Sequence, residues 1–369
     1  MKPRLKRLLG LGLILLTLVV VLIIGISDNS LGKAWEAVKS LDVKWILLCI
    51  LAYLTFVLMD SLAIMYYLRR QGYRIGFGSM YFNSVIGQYY SNITPGATGG
   101  QPMQVYYMAK AGVPGAVGTS AIVIRFFCFQ FMLSVIGTVL WLIFKPFVDA
   151  NTGGNRWILI MGYVYNIFML AVGTVLSLYK PLIKKVIDWG IRIGTKFRWI
   201  KKPEETEARL FKSVDTYQAC LMYYRRKPLD LVVQMVFGGL QLLAVMSIIY
   251  CIYRGMGLRE YGYWHLVTMN VCEYISAAHA PLPGASGAQE GVFAMYFSQI
   301  FSEDTRFAAL LLWRFFTYYI SLILGFVVIV AHGIRSGIGF RESVRSGHET
   351  ADAVMESNGE YPETGGEKT

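Results

Sequence analysis

The chain has 369 residues, of which 55% are hydrophobic and only 16% are charged, and its formal net charge is +12. A soluble domain carries about a quarter charged residues, so the composition excludes an ordinary soluble enzyme and predicts an all-α polytopic membrane protein. The basic residues are concentrated between the apolar stretches. This distribution argues against nucleic acid as a partner and favours anionic lipid headgroups.

Six apolar stretches are long enough to cross about 30 Å of hydrocarbon as helices. They lie at residues 8–26, 45–67, 117–144, 157–179, 229–253 and 307–332. The first stretch follows a basic start and lacks a clear small-residue cleavage site. We therefore expect it to be an uncleaved span rather than a signal peptide.

Two further apolar segments, 79–110 and 264–301, are each interrupted by a short phrase that begins with Pro-Gly. The phrase reads PGATGGQ at residues 95–101 and PGASGAQ at residues 283–289, and five of its seven positions are identical. Irregular backbone at membrane depth is tolerated only where protein or a water-filled cavity covers it. These segments are therefore expected to be re-entrant hairpins or discontinuous helices.

The repetition extends beyond this phrase, because the Arg-Phe-Phe motif that begins at Arg125 recurs at Arg314. The phrases are 188 residues apart (283 − 95) and the arginine motifs are 189 residues apart (314 − 125). Two motifs repeated at almost one spacing indicate a duplicated membrane unit. The two copies would cover about residues 45–144 and 229–332.

Basic residues suggest which loops face the cytoplasm, where Lys and Arg are enriched. With the N-terminus inside, the loop 68–78, the segment 180–228 and the tail after His332 are cytoplasmic, and 180–228 holds thirteen Lys and Arg against five Asp and Glu. Both termini are then cytoplasmic in a multi-pass protein of the cell membrane. The transmembrane region would span 1–340, followed by a disordered polar tail at 341–369.

This threading gives the two repeat units opposite orientations. The span at 45–67 would run inward before the first phrase, whereas the span at 229–253 would run outward before the second. Inverted repeats with broken helices facing each other near the midplane are a recurrent architecture of secondary transporters. The prediction depends on each broken segment returning to the side from which it enters.

Each phrase also carries the pattern of a helix start. Thr98 with Gln101, and Ser286 with Gln289, have the spacing of a capping box, so each phrase is predicted to open a half-helix. Because a helix N-terminus is a ready anion site, two that converge could bind one anion. The glycines of the phrases permit either close approach of a ligand or close helix packing; they are Gly96, Gly99, Gly100, Gly284 and Gly287.

Arg125 and Arg314 lie well inside apolar spans, where an arginine costs roughly 2.5–3.5 kcal/mol on insertion scales. Guanidinium groups are suited to phosphate, but structural ion pairing is an equally good interpretation and the two can coexist. The candidate charge partners are Asp60, Glu273, His279 and Glu290. Glu290 could instead bind a cationic headgroup or stabilise the N-terminus of a helix.

These residues carry a resemblance to a known family. The segments NITPGATGGQP at 92–102 and PLPGASGAQE at 281–290, with the arginine-bearing helices behind them, resemble the lysylphosphatidylglycerol synthase/flippase transmembrane family over about residues 8–335. Members with two parts attach an amino acid to phosphatidylglycerol in a cytoplasmic domain and move the product to the outer leaflet in the membrane domain. The 369 residues here resemble the membrane domain alone.

The resemblance therefore implies translocation of an anionic or aminoacylated phospholipid, and the alternative is a phosphatidylglycerol lysyltransferase or another lipid-modifying component. The predicted substrate site contains Thr98, Gly99, Gly100, Gln101, Arg125, Ser286, Gly287, Gln289, Glu290 and Arg314. Membrane phospholipids are the expected partners, together with a possible separate lipid-modifying enzyme. No cofactor, metal site or catalytic residue is predicted, since the five cysteines are scattered and form no C-x-x-C pair.

Overall fold

The computed structural model describes residues 41–179, 203–277 and 280–335, together with single positions between 39 and 195. Throughout these residues the regular secondary structure is helical, as expected for an all-α polytopic membrane protein. The described part contains five helices long and apolar enough to cross a membrane: Val43–Arg70, Gly115–Ile143, Lys145–Val175, Pro228–Gly255 and Glu303–Ile329. They correspond to five of the predicted spans, whereas the stretch 8–26 and the tail 341–369 lie outside the described residues.

The helices are labelled in chain order. The first half contains α1 (Val43–Arg70), α2 (Phe77–Ile93), α3 (Gly100–Lys110), α4 (Gly115–Ile143), α5 (Lys145–Thr152) and α6 (Arg156–Leu178). The second half contains α7 (Pro203–Arg226), α8 (Pro228–Met246), α9 (Ile248–Gly255), α10 (Tyr263–Ala277), α11 (Ala288–Tyr296), α12 (Glu303–Arg314) and α13 (Ile320–Arg335). A π-helical segment, Phe315–Tyr319, joins α12 to α13.

Local sequence accounts for where the main helices begin and end. The Asp42 side chain accepts a hydrogen bond from the backbone N–H of Lys44 (3.1 Å) and so caps α1. Arg69 and Arg70 occupy the last turn of α1, where positive charge is favourable. Pro228 lies in the first turn of α8, where its missing N–H costs no helical hydrogen bond.

Both interrupted segments fold back on themselves as helical hairpins. In the first hairpin, the Asn83 side chain on α2 donates to the Gln104 carbonyl on α3 (2.8 Å). In the second, the hydroxyl groups of Ser276 on α10 and Tyr296 on α11 lie 3.1 Å apart. Of the two alternatives that the sequence left open, the structure therefore favours the re-entrant one.

The first long helices of the two repeat units, α1 and α8, pack antiparallel. The Gln241 side chain donates to Asp60 (3.1 Å), and further along α1 the Tyr66 hydroxyl donates to Asp230 (2.6 Å). Residues further along α1 therefore contact residues that come earlier in α8, as in an antiparallel pair. This is the relative direction that inverted units would have.

The tips of the two hairpins contact each other. Each tip is a short 3-10 turn, at Pro95–Ala97 and at Pro283–Ala285. Gly96 and Gly284 have φ angles of 60° and 58°, and the alanine that follows each glycine also has a positive φ. The repeated sequence thus forms the same uncommon backbone twice, and this backbone brings the two units together.

Candidate functional site

A cavity of about 240 Å³ lies beside the hairpin tips, and its wall combines residues of both units. The first unit contributes residues of α1, α2, α3 and α4, and the second contributes residues of α8, α10, α11 and α12. The wall also includes Ala97, Gly284 and Ala285 of the tips themselves. The cavity is therefore shared between the units rather than contained within either.

Four residues of the predicted substrate site line this cavity, namely Gln101, Arg125, Gln289 and Arg314. The structure thus brings together two pairs of repeat-related side chains at one wall. The other residues of the predicted substrate site are not part of the wall, although they lie close in sequence to residues that are. They are Thr98, Gly99, Gly100, Ser286, Gly287 and Glu290.

Arg314, the last residue of α12, binds the second hairpin through three hydrogen bonds. Its Nε donates to Glu290 Oε1 (2.6 Å), and its Nη1 donates to Gln289 Oε1 (2.5 Å) and to the Gly284 carbonyl (3.2 Å). The residue is only 3% exposed, and Nη2 is buried without a hydrogen-bond partner in the described part of the chain. A buried donor left unpaired costs about 1–3 kcal/mol, so an acceptor placed beside Nη2 would stabilise the site.

Arg125 forms its ion pair with a residue of α1, whereas the partner of Arg314 belongs to a hairpin. The Arg125 Nη1 contacts Asp60 of α1, which is fully buried and also accepts hydrogen bonds from Gln241 (3.1 Å) and Gln104 (3.5 Å). Nε of Arg125 is buried and has no hydrogen-bond partner among the described residues. Both arginines of the cavity wall are therefore ion-paired to a carboxylate of the protein.

Of the two remaining candidate charge partners, Glu273 forms no ion pair with either arginine within the part of the chain that the structure describes. Glu273 on α10 is fully buried, is not part of the cavity wall, and has no hydrogen-bond partner on either carboxylate oxygen among the described residues. His279 lies outside the described residues. The carboxylates that pair with the two arginines are thus Asp60 and Glu290.

The prediction that Thr98 and Ser286 cap the half-helices is wrong. The Thr98 hydroxyl donates to the Pro95 carbonyl (3.0 Å), and the Ser286 hydroxyl donates to the Pro283 carbonyl (3.0 Å). The left-handed residues in each tip shift the helix starts to Gly100 and Ala288, so that each hydroxyl closes the preceding turn instead.

Other side chains fulfil the capping role. Thr94 accepts a hydrogen bond from the Gly99 N–H (2.8 Å) ahead of α3, and Glu290 accepts one from the Gly287 N–H (2.6 Å) at α11. A carboxylate of the protein thus already occupies the anion position at the start of α11. The predicted use of both helix starts as one anion site is therefore not available at α11.

Replacing Thr94 with valine is expected to destabilise the protein by about 1 kcal/mol, because the change removes the hydrogen bond to Gly99 and one to the Tyr90 carbonyl (2.7 Å). Thr98→Val is the matched control and should change stability by less than about 0.5 kcal/mol, since Thr98 is exposed. Thermal unfolding of both purified variants provides the measurement. A larger loss at Thr98 would contradict this assignment of the cap.

The glycines of the first phrase serve close packing within the hairpin. A Cβ atom at Gly100 would lie 2.4 Å from the Gly87 carbonyl oxygen, and one at Gly99 would lie 2.5 Å from the Thr94 side chain. Gly287 has open space around it but a φ of 87°, which side-chain-bearing residues rarely adopt. Backbone geometry therefore explains these three glycines without a ligand.

The sequence model of the lysylphosphatidylglycerol synthase TM region matches residues 7–325. The chain belongs to this family. Among curated proteins, none is similar enough to the chain to count as a match. Membership supports a lipid-related role in the membrane.

For this member of the lysylphosphatidylglycerol synthase TM family, sequence reasoning missed most of the polar wall of the cavity. The missed side chains carry amide or hydroxyl groups and come from five helical elements; they are Gln88, Ser91, Asn92, Gln130, Gln241, Asn270, Tyr274, Thr317 and Tyr318. A signal was present, because an isolated amide inside an apolar helix needs a polar partner. Gln130 and Gln241, each within a predicted span, fit that description.

Proposed function

We propose that the protein is a flippase-like translocase that moves an anionic or aminoacylated phospholipid, such as lysyl-phosphatidylglycerol, between membrane leaflets. The observation that carries the proposal is the shared cavity, whose wall contains Arg125 of one unit and Arg314 of the other. Guanidinium groups are well suited to phosphate. Family membership agrees with a lipid as the ligand.

The size of the cavity favours a headgroup rather than a whole lipid. Pockets for drug-sized ligands span roughly 300–1,000 Å³, whereas this one has about 240 Å³. The acyl chains would therefore remain in the bilayer while the polar headgroup enters the protein. This division keeps the phosphate out of hydrocarbon, where an isolated charge is costly.

The arrangement of the units suggests how access could alternate. The hairpin tips contact each other beside the cavity, and α1 packs antiparallel to α8. Rocking of one unit against the other would open the cavity toward one leaflet while closing it toward the other, as in other proteins with inverted repeats.

Reconstitution into liposomes with fluorescent phosphatidylglycerol and fluorescent lysyl-phosphatidylglycerol tests the proposal. The fraction of each lipid that an impermeant quencher reaches is followed over time. Wild type should exchange at least one of the lipids between leaflets faster than protein-free liposomes do. An Arg125→Ala/Arg314→Ala double variant should be at least tenfold slower, because both phosphate contacts are lost.

Arg156→Ala is the control, since Arg156 is an exposed arginine outside the cavity, and it should exchange lipid as wild type does. If wild type moves neither lipid faster than protein-free liposomes, translocation itself is refuted. If the folded double variant matches wild type, the site assignment is refuted while translocation stands.

A further inference from the structure

We propose that lipid movement in this protein is coupled to the transfer of protons, and that Glu273 is the group that binds and releases the proton. This inference rests on the proposed lipid translocation and adds the ion that would drive it. It follows from the burial of the Glu273 carboxyl group, from the charges around it and from a comparison of the two hairpins.

Glu273 lies within α10, the first helix of the second hairpin, and it is fully buried. Neither of its carboxyl oxygens has a hydrogen-bond partner among the described residues. An isolated ionised carboxylate away from water is so costly that such a group normally takes up a proton instead. In this arrangement Glu273 is therefore a neutral carboxylic acid that holds one proton.

The first hairpin shows that the fold does not require a carboxyl group at this position. The two hairpin tips are 188 residues apart, and the same offset relates Glu273 to Val85 of α2 (273 − 188 = 85). Val85 is only 3% exposed and belongs to the apolar core. An aliphatic side chain thus fills the repeat-related position without burying a polar group, so packing alone does not account for Glu273.

The charged groups that act on Glu273 are Arg314 of α12 and Glu290 of α11. Tyr274 of the same helix and Tyr296 of α11 are its titratable hydroxyl-bearing neighbours. Among the described residues, the other helices packed against α10, which are α4, α5, α6, α8 and α9, bring no further charged group to bear on it. Arg314 is therefore the cation that could stabilise an ionised Glu273, and here it is paired with Glu290 instead.

The second hairpin thus carries two carboxyl groups that can pair with one arginine. Movement of this hairpin relative to α12 would open the pair between Arg314 and Glu290. Glu273 would then release its proton to water and become the partner of Arg314. Glu290 would keep its hydrogen bond from the Gly287 N–H (2.6 Å) at the start of α11, where negative charge is favourable. The reverse movement returns a proton to Glu273 and restores the starting pair.

The helix that carries Glu273 also borders the cavity. Asn270 and Tyr274, three residues before and one residue after Glu273, line the wall, whereas Glu273 itself is not part of it. The proton site therefore lies on a helix that would move together with the cavity. A proton bound while the cavity is open to one side, and released while it is open to the other, would cross the membrane in step with the lipid.

Liposomes with an imposed pH gradient test the coupling. They contain labelled phosphatidylglycerol or lysyl-phosphatidylglycerol, and valinomycin with equal potassium on both sides holds the membrane potential near zero. One proton per lipid across one pH unit would sustain a ratio of about tenfold between the leaflets. Wild type should therefore enrich at least one labelled lipid in one leaflet at least twofold over protein-free liposomes under the same gradient. A protonophore should abolish the enrichment.

Glu273→Gln keeps the shape of the side chain but cannot bind and release a proton. Its amide oxygen can still accept a hydrogen bond from Arg314, as Gln289 does (2.5 Å), so lipid should equilibrate more slowly than in wild type and show no enrichment under the gradient. Glu260→Gln makes the same change at an exposed site outside the cavity and should behave as wild type does. If Glu273→Gln does not fold, Glu273→Val, which copies Val85 of the first hairpin, replaces it.

Infrared spectroscopy of the purified protein tests the bound proton separately from transport. Near neutral pH, wild type and Glu260→Gln should show the carbonyl stretch of a protonated carboxylic acid that Glu273→Gln lacks. A wild-type spectrum without this band, or a variant that retains it in full, overturns the assignment of the proton to Glu273.

The liposome results separate this inference from the proposed function. Lipid movement in wild type that does not respond to the gradient refutes the coupling and leaves translocation intact. Enrichment by Glu273→Gln as strong as that by wild type refutes the role of Glu273. If wild type moves no lipid in any liposome, translocation and its coupling both fail, whereas the infrared band still decides whether Glu273 holds a proton.

Discussion

Replacing Arg314 with methionine is expected to destabilise the protein by about 3–5 kcal/mol, because Glu290 would remain as a largely buried carboxylate without its cation. Adding Glu290→Gln should recover most of this loss, since removing both charges of a buried pair is often nearly neutral. Lipid movement should be lost in the single variant and should stay lost in the double variant, because both lack the guanidinium that makes the proposed phosphate contact. Thermal unfolding and the liposome assay measure the two effects separately.

The pair of variants distinguishes the two interpretations of the arginines. If Arg314 serves only as a structural ion-pair partner, the neutral double variant should fold and also move lipid at the wild-type rate. That outcome would remove Arg314 from the proposed site. The corresponding pair in the first unit, Asp60→Asn with Arg125→Met, provides an independent repetition of the test, since Asp60 is the carboxylate that pairs with Arg125.

The second large effect is expected at the tip of the second hairpin. Gly284→Ala should destabilise the protein more than Gly96→Ala, although both glycines have a positive φ near 60°. The backbone conformation costs an alanine about 1–2 kcal/mol at either position. At Gly284 alone, the new Cβ atom would also lie 2.1 Å from a ring carbon of Tyr318, and forced repacking typically adds about 1–3 kcal/mol.

Gly96 is a close internal control, because the nearest atom to a Cβ there is 3.8 Å away on Thr98. Melting temperatures of the two variants, measured in the same detergent, give the comparison. Equal losses of stability would mean that the Tyr318 ring yields easily and that this tip is loosely packed. Lipid movement should be impaired more at Gly284 as well, since Tyr318 is part of the cavity wall.

The sequence was sufficient to predict the features that depend on local pattern. The length of the apolar stretches predicted the long spans. The repeated Pro-Gly phrase predicted where the two other apolar segments are interrupted. Arg125 and Arg314 stood out because charge is rare inside such spans. These signals need no knowledge of which helices are neighbours.

Features that depend on exact backbone geometry or distant contacts could not be predicted in this way. The shift of the cap from Thr98 to Thr94 follows from left-handed backbone at Gly96 and Ala97, which the capping pattern does not encode. The choice of Asp60 as partner of Arg125 joins residues 65 positions apart. The hydrogen bond from the Asn270 side chain to the Met246 carbonyl (3.3 Å) likewise joins two different helices.

The two hairpins are joined to their arginines in different ways, which makes them mechanically unequal. In the second unit, Glu290 belongs to the hairpin itself, so displacing that hairpin from α12 must separate opposite charges. In the first unit, the carboxylate Asp60 belongs to α1, and among the hydrogen bonds at this carboxylate only a long one of 3.5 Å, from Gln104, comes from the hairpin. Displacing the first hairpin would therefore leave both of these ion pairs closed, whereas displacing the second from α12 would break one of them.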